Sequence, residues 1–399
     1  MSTISILLFW AAILIVVYAY GGYLLCIKLY KSIIGKGGKR VKLEPDGQLP
    51  TVSFIVAAYN ESRLICEKIE NTLQLQYASD KLEIIIVTDG SNDNTPDLVQ
   101  EYYGDKVRIL HQPKRMGKSA AINRAVASAQ GEILVFSDAN TILDSDALYL
   151  ITRHFQTNDI GGVSGKKMVR AVTSAGAANE EGAYWKYESF LKQQDSDFHT
   201  VVGAAGELFS VRKKIFVPIP SEIILDDFFV SLKVCEQGYK VVYEQKAIAA
   251  EYPSMNIKEE AKRKIRIAAG GFQSIVVFRA LLNIFKYGKL SFLYVSHRVL
   301  RWAICPFLLP LIFVLNVYLI ADNSAGIFYW GLLFAQVVFY ALAFVGWLNR
   351  SNAISFKLAR IPYYFVFMNL SVVGGFWLFL RGGQSSSWQR SARAELAAT

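Results

Sequence analysis

Residues Leu82–Thr95 read LEIIIVTDGSNDNT. The run Ile84–Val87 is β-branched throughout, with Glu83 the only charged residue before Thr88. Such a run predicts a strand buried on both faces, as in a parallel sheet. The chain then turns polar at Asp89, Gly90, Ser91, Asn92, Asp93 and Asn94. Open α/β sheets bind ligands beyond the carboxyl ends of their strands. The stretch therefore predicts a ligand site with acidic groups at a strand end.

Similar units lie on either side. Thr51–Tyr59 (TVSFIVAAY) predicts a first strand, and Asn60-Glu61-Ser62 starts a helical pattern with Leu64, Ile65, Ile69 and Leu73 on one side. Pro96 suits the first turn of a helix entered at Thr95. A third strand, Val107–His111, leads through a basic turn at Lys114, Arg115 and Lys118 into a helix over Ser119–Ala129. A fourth, Glu132–Phe136, runs into Ser137-Asp138-Ala139-Asn140-Thr141. Successive β-α units of this kind predict an α/β domain with a mainly parallel sheet. Neither GxGxxG nor GxxxxGK[ST] stands at these turns, which argues against dinucleotide and P-loop chemistry.

Both ends of the 399-residue chain are apolar. Residues 5–27 carry no charge and are long enough to span a bilayer, as are Ala303–Ile320, Ile327–Leu348 and Ile361–Leu380. No basic residue precedes the first run and no small-residue cleavage site follows it, so the pattern is that of an anchor, not a cleaved leader. Lys28, Lys31, Lys36, Lys39, Arg40 and Lys42 follow it, which predicts an outside N-terminus and a cytoplasmic globular domain. The division expected is 1–42 (span and basic linker), 43–257 (globular domain), 258–301 (basic amphipathic interfacial helices) and 302–399 (two to three spans and tail). Ile361–Leu380 leaves its own topology open, because Arg381, Arg390 and Arg393 follow it. The net charge of +10 is concentrated beside the spans and in 258–301, which points to anionic lipid and away from nucleic acid. The four cysteines form no CxxC pair, so neither a disulfide framework nor a zinc site is indicated.

Each turn has a chemical use. Asp89 is an acceptor for a base or sugar hydroxyl. Lys114, Arg115 and Lys118 can neutralise phosphates, helped by amides at the start of the next helix. Asp138 and Asn140 offer oxygen ligands to a hard divalent cation that completes its shell with phosphates. Asp, Asn and Gly are also ordinary turn formers, but turn propensity alone does not call for acidic, basic and acidic groups at successive strand ends.

These motifs resemble those of the membrane-bound family 2 glycosyltransferases, whose relatives include synthases of the chitin, hyaluronan and poly-N-acetylglucosamine type. The resemblance covers nearly the whole chain. AAYNES at Ala57–Ser62 is similar to the segment that wraps the uracil, and it implies donor contacts at Ala57, Tyr59 and Glu61. VTDGSNDNT implies a uracil contact at Asp89. KRMGKSAAINRA at Lys114–Ala125 resembles the segment near the diphosphate, with Lys118 as donor contact. SDANT at Ser137–Thr141 stands at the DxD metal motif, with Asp138 its carboxylate and Asn140 in place of the second acid. The fold implied is a Rossmann-like GT-A nucleotide-sugar-binding domain inserted between transmembrane helices, and the cofactor implied is Mg²⁺ or Mn²⁺.

Three later stretches bear on the acceptor. Asn179–Asp197 carries Tyr184, Trp185, Tyr187 and Glu188 at helical spacing, and Trp185 is a candidate acceptor contact. Val202–Arg212 (VGAAGELFSVR) is small-residue-rich, and Gly206 would let the chain pass close to a sugar. Asp226 and Asp227 follow an apolar run and precede Phe228-Phe229, a setting that raises a carboxylate's pKa toward a general base's. By the resemblance Asp227 is the catalytic base; Asp226 replaces a Glu beside the acceptor and is also a candidate helix N-cap. Arg263 and Arg266 fall where processive members carry QxxRW, with Ile267 at the Trp position, and Arg266 retains a charge for the leaving diphosphate.

The activity expected is inverting transfer from a UDP-linked sugar to a lipid-linked saccharide or growing polysaccharide at the cytoplasmic membrane face, with export or assembly partners. A processive synthase that extrudes its product and an inactive GT-A assembly subunit are the alternatives; Asn140 favours the second. A transporter is disfavoured by spans without buried charge.

Overall fold

The computed structural model describes residues 2–34, 49–169, 176–252, 257–322, 326–348 and 357–382. The basic linker, residues 349–356 and the arginines of the tail lie outside these. The described chain forms two compact units, one from 2–34, 176–180 and 257–382, the other from 49–169 and 181–252.

The helical unit contains four helical stretches long and apolar enough to cross a membrane: Thr3–Ile33, Lys289–Ala321, Ile327–Leu348 and Leu358–Leu380. The first is α1 (Ser2–Val17) and α2 (Tyr23–Ile34) joined by a π-helical turn at Tyr18–Gly22. Phe9 and Ala12 pack on Ile312 and Leu319 of the second. That second stretch starts well before Ala303, because the helix carries on through Arg298 and Arg301 in a π-helical segment, Tyr294–Ile304. His297 and Arg298 are buried in it. The expectation of spans free of buried charge is thus corrected: two arginines interrupt the apolar run in the sequence without ending the helix.

The other unit is a mixed sheet of eight strands in the order β3-β2-β1-β4-β7-β6-β8-β5. These are β1 (Val52–Ala58), β2 (Leu82–Asp89), β3 (Arg108–Gln112), β4 (Ile133–Asp138), β5 (Thr141–Leu143), β6 (Ile160–Val169), β7 (Phe209–Arg212) and β8 (Lys240–Glu251). β3, β2, β1 and β4 are parallel, whereas β7 runs antiparallel to both β4 and β6. Every residue of β1 is buried, and so are the last six of β2. Both central strands are therefore covered on two faces, as their unbroken apolar runs require. Phe54, Val56, Ile84, Ile86 and Val135 join one large core with Ile65 and Ile69.

The helices of this unit are α3 (Ile65–Leu73), α4 (Thr95–Tyr103), α5 (Lys118–Ser128), α6 (Ala147–Thr152), α7 (Gly176–Phe198, from residue 181 on) and α8 (Asp226–Glu236). α3 begins later than the Asn60-Glu61-Ser62 pattern suggests. Asn60 has a positive φ of 54°, a left-handed conformation that Asn tolerates and a helix does not. Its side chain exchanges two hydrogen bonds with Asn92, Nδ2 donating to Oδ1 at 2.7 Å and Oδ1 accepting from the Asn92 amide at 2.9 Å. The loops after β1 and β2 are thereby fastened together at the carboxyl edge of the sheet.

Candidate active site

Ala57 of β1 is paired in register with Asp138 of β4, so both side chains reach the same edge. They line a cleft together with Lys118, Gly206, Asp226 and Asp227. Parallel pairing delivers the first two. Lys118 opens α5, and Asp226 and Asp227 open α8. The turn at Gly206 completes the wall: a Cβ built there would lie 3.5 Å from Asp227 Oδ2 and 3.8 Å from Asp138 Oδ2. A methyl group there would stand in ordinary van der Waals contact with both carboxylates.

The Lys118 ammonium donates to Asp138 Oδ1 at 3.0 Å and pairs with Asp226 Oδ2 at 3.2 Å. Burial works against its charge, but the fields of Asp138, Asp226 and Asp227 prevail and raise its proton affinity. Burial also raises Asp138, with Lys118 opposing. Asp227 is pushed up to about 7, first by burial and then by the charge of Asp226. The residue capping α8 is Leu225, with no side-chain cap bond. The N-cap reading of Asp226 is therefore corrected: the residue sits inside the first turn and spends its carboxylate on Lys118.

Asp89 is buried, and its Oδ2 accepts the backbone N–H of Met116 at 2.9 Å and of Gly117 at 2.7 Å. Arg124 Nη1 stands 3.7 Å from Oδ1. The carboxylate thus fastens the basic turn to the end of β2. Gly90, with φ of 67°, packs so closely on Arg115 that an added Cβ would meet its Cβ at 2.5 Å. This places the Arg115 guanidinium 3.7 Å from the centre of the Tyr59 ring, a cation–π stack at the same edge. Glu61 is buried, and its amide donates to Thr95 Oγ1 at 2.9 Å.

The other expected residues are spread more widely. Asn140 lies half-buried in the turn after β4. Trp185 on α7 stacks over Lys167, whose Nζ is 4.5 Å from the ring centre. Glu188 is buried. Arg266 lies on the helix Ile257–Val277 of the helical unit. Among the described residues no three His, Cys, Asp or Glu side chains are spaced to hold a metal by themselves. The cleft instead gathers hard carboxylate oxygens with one lysine between them. That fits a divalent cation that shares its shell with substrate phosphates, not one closed in by protein ligands.

Two charged groups beside the cleft escaped the sequence reading. Glu207 follows Gly206 directly, and its charge acts on both Asp138 and Asp227. Lys167 of β6 is buried between Glu207 and Glu251 and pairs with both. The only sign in the sequence is a lone Glu within the apolar run Val202–Phe209.

Comparison with known proteins accords with this geometry. Residues 53–218 match the model of glycosyl transferase family 2. Poly-β-1,6-N-acetyl-D-glucosamine synthase of Staphylococcus aureus (strain COL) is 28% identical over 235 residues, 57% of this chain and 56% of that protein. The Staphylococcus epidermidis synthase is 27% identical over 249 residues, 61% of this chain and 60% of that protein. The chain therefore matches little more than half the length of these curated relatives. A mannosyltransferase from Pyrobaculum calidifontis, solved with GDP-Man and Mn²⁺, superposes with a TM-score of 0.69 at 22% identity, covering 94% of this chain and 100% of that one. Its likeness fixes the fold as GT-A. Residues 53–218 thus carry a glycosyl transferase family 2 domain, in a chain that also has long apolar helices.

Proposed function

We propose that the protein transfers a sugar from a UDP-linked donor to a hydroxyl of a growing polysaccharide or lipid-linked saccharide at the cytoplasmic membrane face, with inversion. The observation that carries this reading is the position of Asp227. It is a carboxylate raised to about 7, in one cleft with Asp138 and Lys118. A base for a hydroxyl needs an elevated pKa and access to the reacting atoms.

In the reaction Asp227 accepts the acceptor hydroxyl's proton as the oxygen attacks the anomeric carbon. The bond from that carbon to the donor phosphate breaks on the opposite face, and the diphosphate leaves. Lys118, at the start of α5, meets the developing negative charge, and Asp226 keeps Lys118 directed into the cleft. Asp138, with Asn140 beside it, would hold Mg²⁺ or Mn²⁺ against the donor phosphates, and that cation would supply further charge stabilisation to the leaving group. Tyr59, Glu61 and Ala57 belong to the base end of the donor, and Asp89 serves there by holding the turn 114–118. Gly206 and Trp185 border the acceptor.

Polymer growth is favoured over a single addition by the two staphylococcal relatives, which are named as synthases of a β-1,6-linked polysaccharide. The basic residues after the first span favour an outside N-terminus. Protein purified in detergent should release UDP from one of a panel of UDP-sugars when Mg²⁺ or Mn²⁺ is present, and product sizing then separates polymer from single addition. No release from any UDP-, GDP- or other nucleotide sugar overturns the reading.

A further inference from the structure

Lys68 stands outside the machinery described so far, yet it is fully buried. A lysine so placed is costly unless its nitrogen is well used. Its Nζ donates to Ser137 Oγ at 2.7 Å and to the carbonyl of Thr141 at 2.8 Å, and it lies 5.5 Å from the centre of the Phe54 ring. These two acceptors are the two ends of the Ser137–Thr141 turn that carries Asp138 and Asn140. Ser137 Oγ in turn donates to the carbonyl of Glu207 at 2.9 Å. One nitrogen therefore joins the turn after β4 to the turn that holds Gly206 and Glu207. Three residues along the same helix, Asn71 grips the next segment, with Nδ2 donating to the Leu143 carbonyl at 2.8 Å and Oδ1 accepting its amide at 2.9 Å. Residues three apart share a helix face, so one face of α3 holds both β4's end and β5.

We propose that Lys68 is a positioning residue for transfer: it fixes the turn bearing Asp138 to the turn bearing Gly206 and Glu207, and so sets the spacing between the donor-holding Asp138 and the Gly206 turn that borders Asp227. Burial lowers its own proton affinity to about 7 against the field of Asp138, and an amine in either protonation state still has the two N–H groups that its two partners require. The proposal rests on the glycosyltransferase reading of the cleft.

The test uses the full chain in detergent with Lys68→Met and Ser137→Ala. The first removes both donors, and the second cuts the link to Glu207. Four quantities are read: thermal midpoint, UDP affinity by calorimetry, kcat, and the fraction of donor lost to water instead of transferred. A displacement near one ångström can cost about 100-fold in rate. Both variants are therefore expected to lose about 10- to 100-fold in kcat, to hold UDP within about threefold of wild type, and to waste more donor on water. A merely structural role lowers the active fraction and leaves the ratio of transfer to hydrolysis unchanged, which overturns the proposal. Wild-type kcat and partition in folded variants overturn it as well. Should Lys68→Met fail to fold, Ser137→Ala decides alone by the same partition. A wild-type protein that releases no UDP from any donor overturns the underlying reading instead.

Discussion

Lys118 Nζ lies 3.0 Å from Asp138 Oδ1, and the same nitrogen reaches Asp226, so this one ammonium pairs with two of the carboxylates in the cleft. Lys118→Met leaves those carboxylates without their counter-ion. Breaking a buried pair from one side costs about 3 kcal/mol, which should appear as a lower thermal midpoint. It should also raise the pKa of Asp227, because Lys118 is what holds that value down. The rising limb of the pH–rate profile is then expected to move to higher pH. A limb left in place would remove Lys118 from the site's electrostatics.

For the wild type, kcat should climb as pH rises through about 7, since Asp227 acts only when ionised. The same shift predicts a stability effect of definite sign. A carboxyl raised in the fold binds its proton more tightly folded than unfolded. Its contribution is full below the ordinary carboxylate range and is lost as pH rises through about 7. Unfolding midpoints of wild type and Asp227→Asn, measured from pH 4 to pH 8, should differ in slope across that window.

Asp89→Ala removes the acceptor shared by the Met116 and Gly117 amides. Hydrogen bonds to a charged acceptor are worth about 1.5–3 kcal/mol each. The expected result is a destabilised domain with weaker UDP binding, because the turn ahead of Lys118 is no longer held. Weakened binding with unchanged stability would instead favour a direct contact between Asp89 and the base.

Away from the cleft, Glu244 accepts from Arg153 Nη2 and pairs with His154 Nε2, both at 2.9 Å. Burial raises its pKa, but the bonds from His154, the Lys246 amide and Arg153 outweigh it and lower the value to about 2. Its stabilisation is present above the normal carboxylate range and lost as pH falls through about 2. Glu244→Gln should therefore lower the midpoint at pH 7 by an amount that shrinks toward pH 3, with kcat unchanged.

Much of this was legible in the residues, and the exceptions share a cause. Strand runs such as Ile84–Val87 announce their burial because both faces are covered. The Gly206 turn and the Asp226-Asp227 pair likewise stand out as small or charged residues in apolar surroundings. Hydrogen-bond partners are less visible. Asp89 reads as a strand-end acceptor, but the amides that its Oδ2 accepts come from a turn 27 residues on. Lys68 reads as one polar residue on an amphipathic helix, and only the approach of β4 buries it. Asp226 was expected to cap α8, but Lys118, distant in sequence, competes for its carboxylate. The early start of the second apolar helix was missed because Arg298 and Arg301 interrupt hydropathy without interrupting backbone geometry.

The central claim is that Asp227 is the base of a glycosyl transfer. Its most direct measurement is UDP release by Asp227→Asn beside wild type, with UDP affinity measured on the same samples. The amide has nearly the same shape and cannot accept the proton, so turnover should fall about 100-fold or more while UDP still binds. An Asn variant that turns over at the wild-type rate would contradict the account.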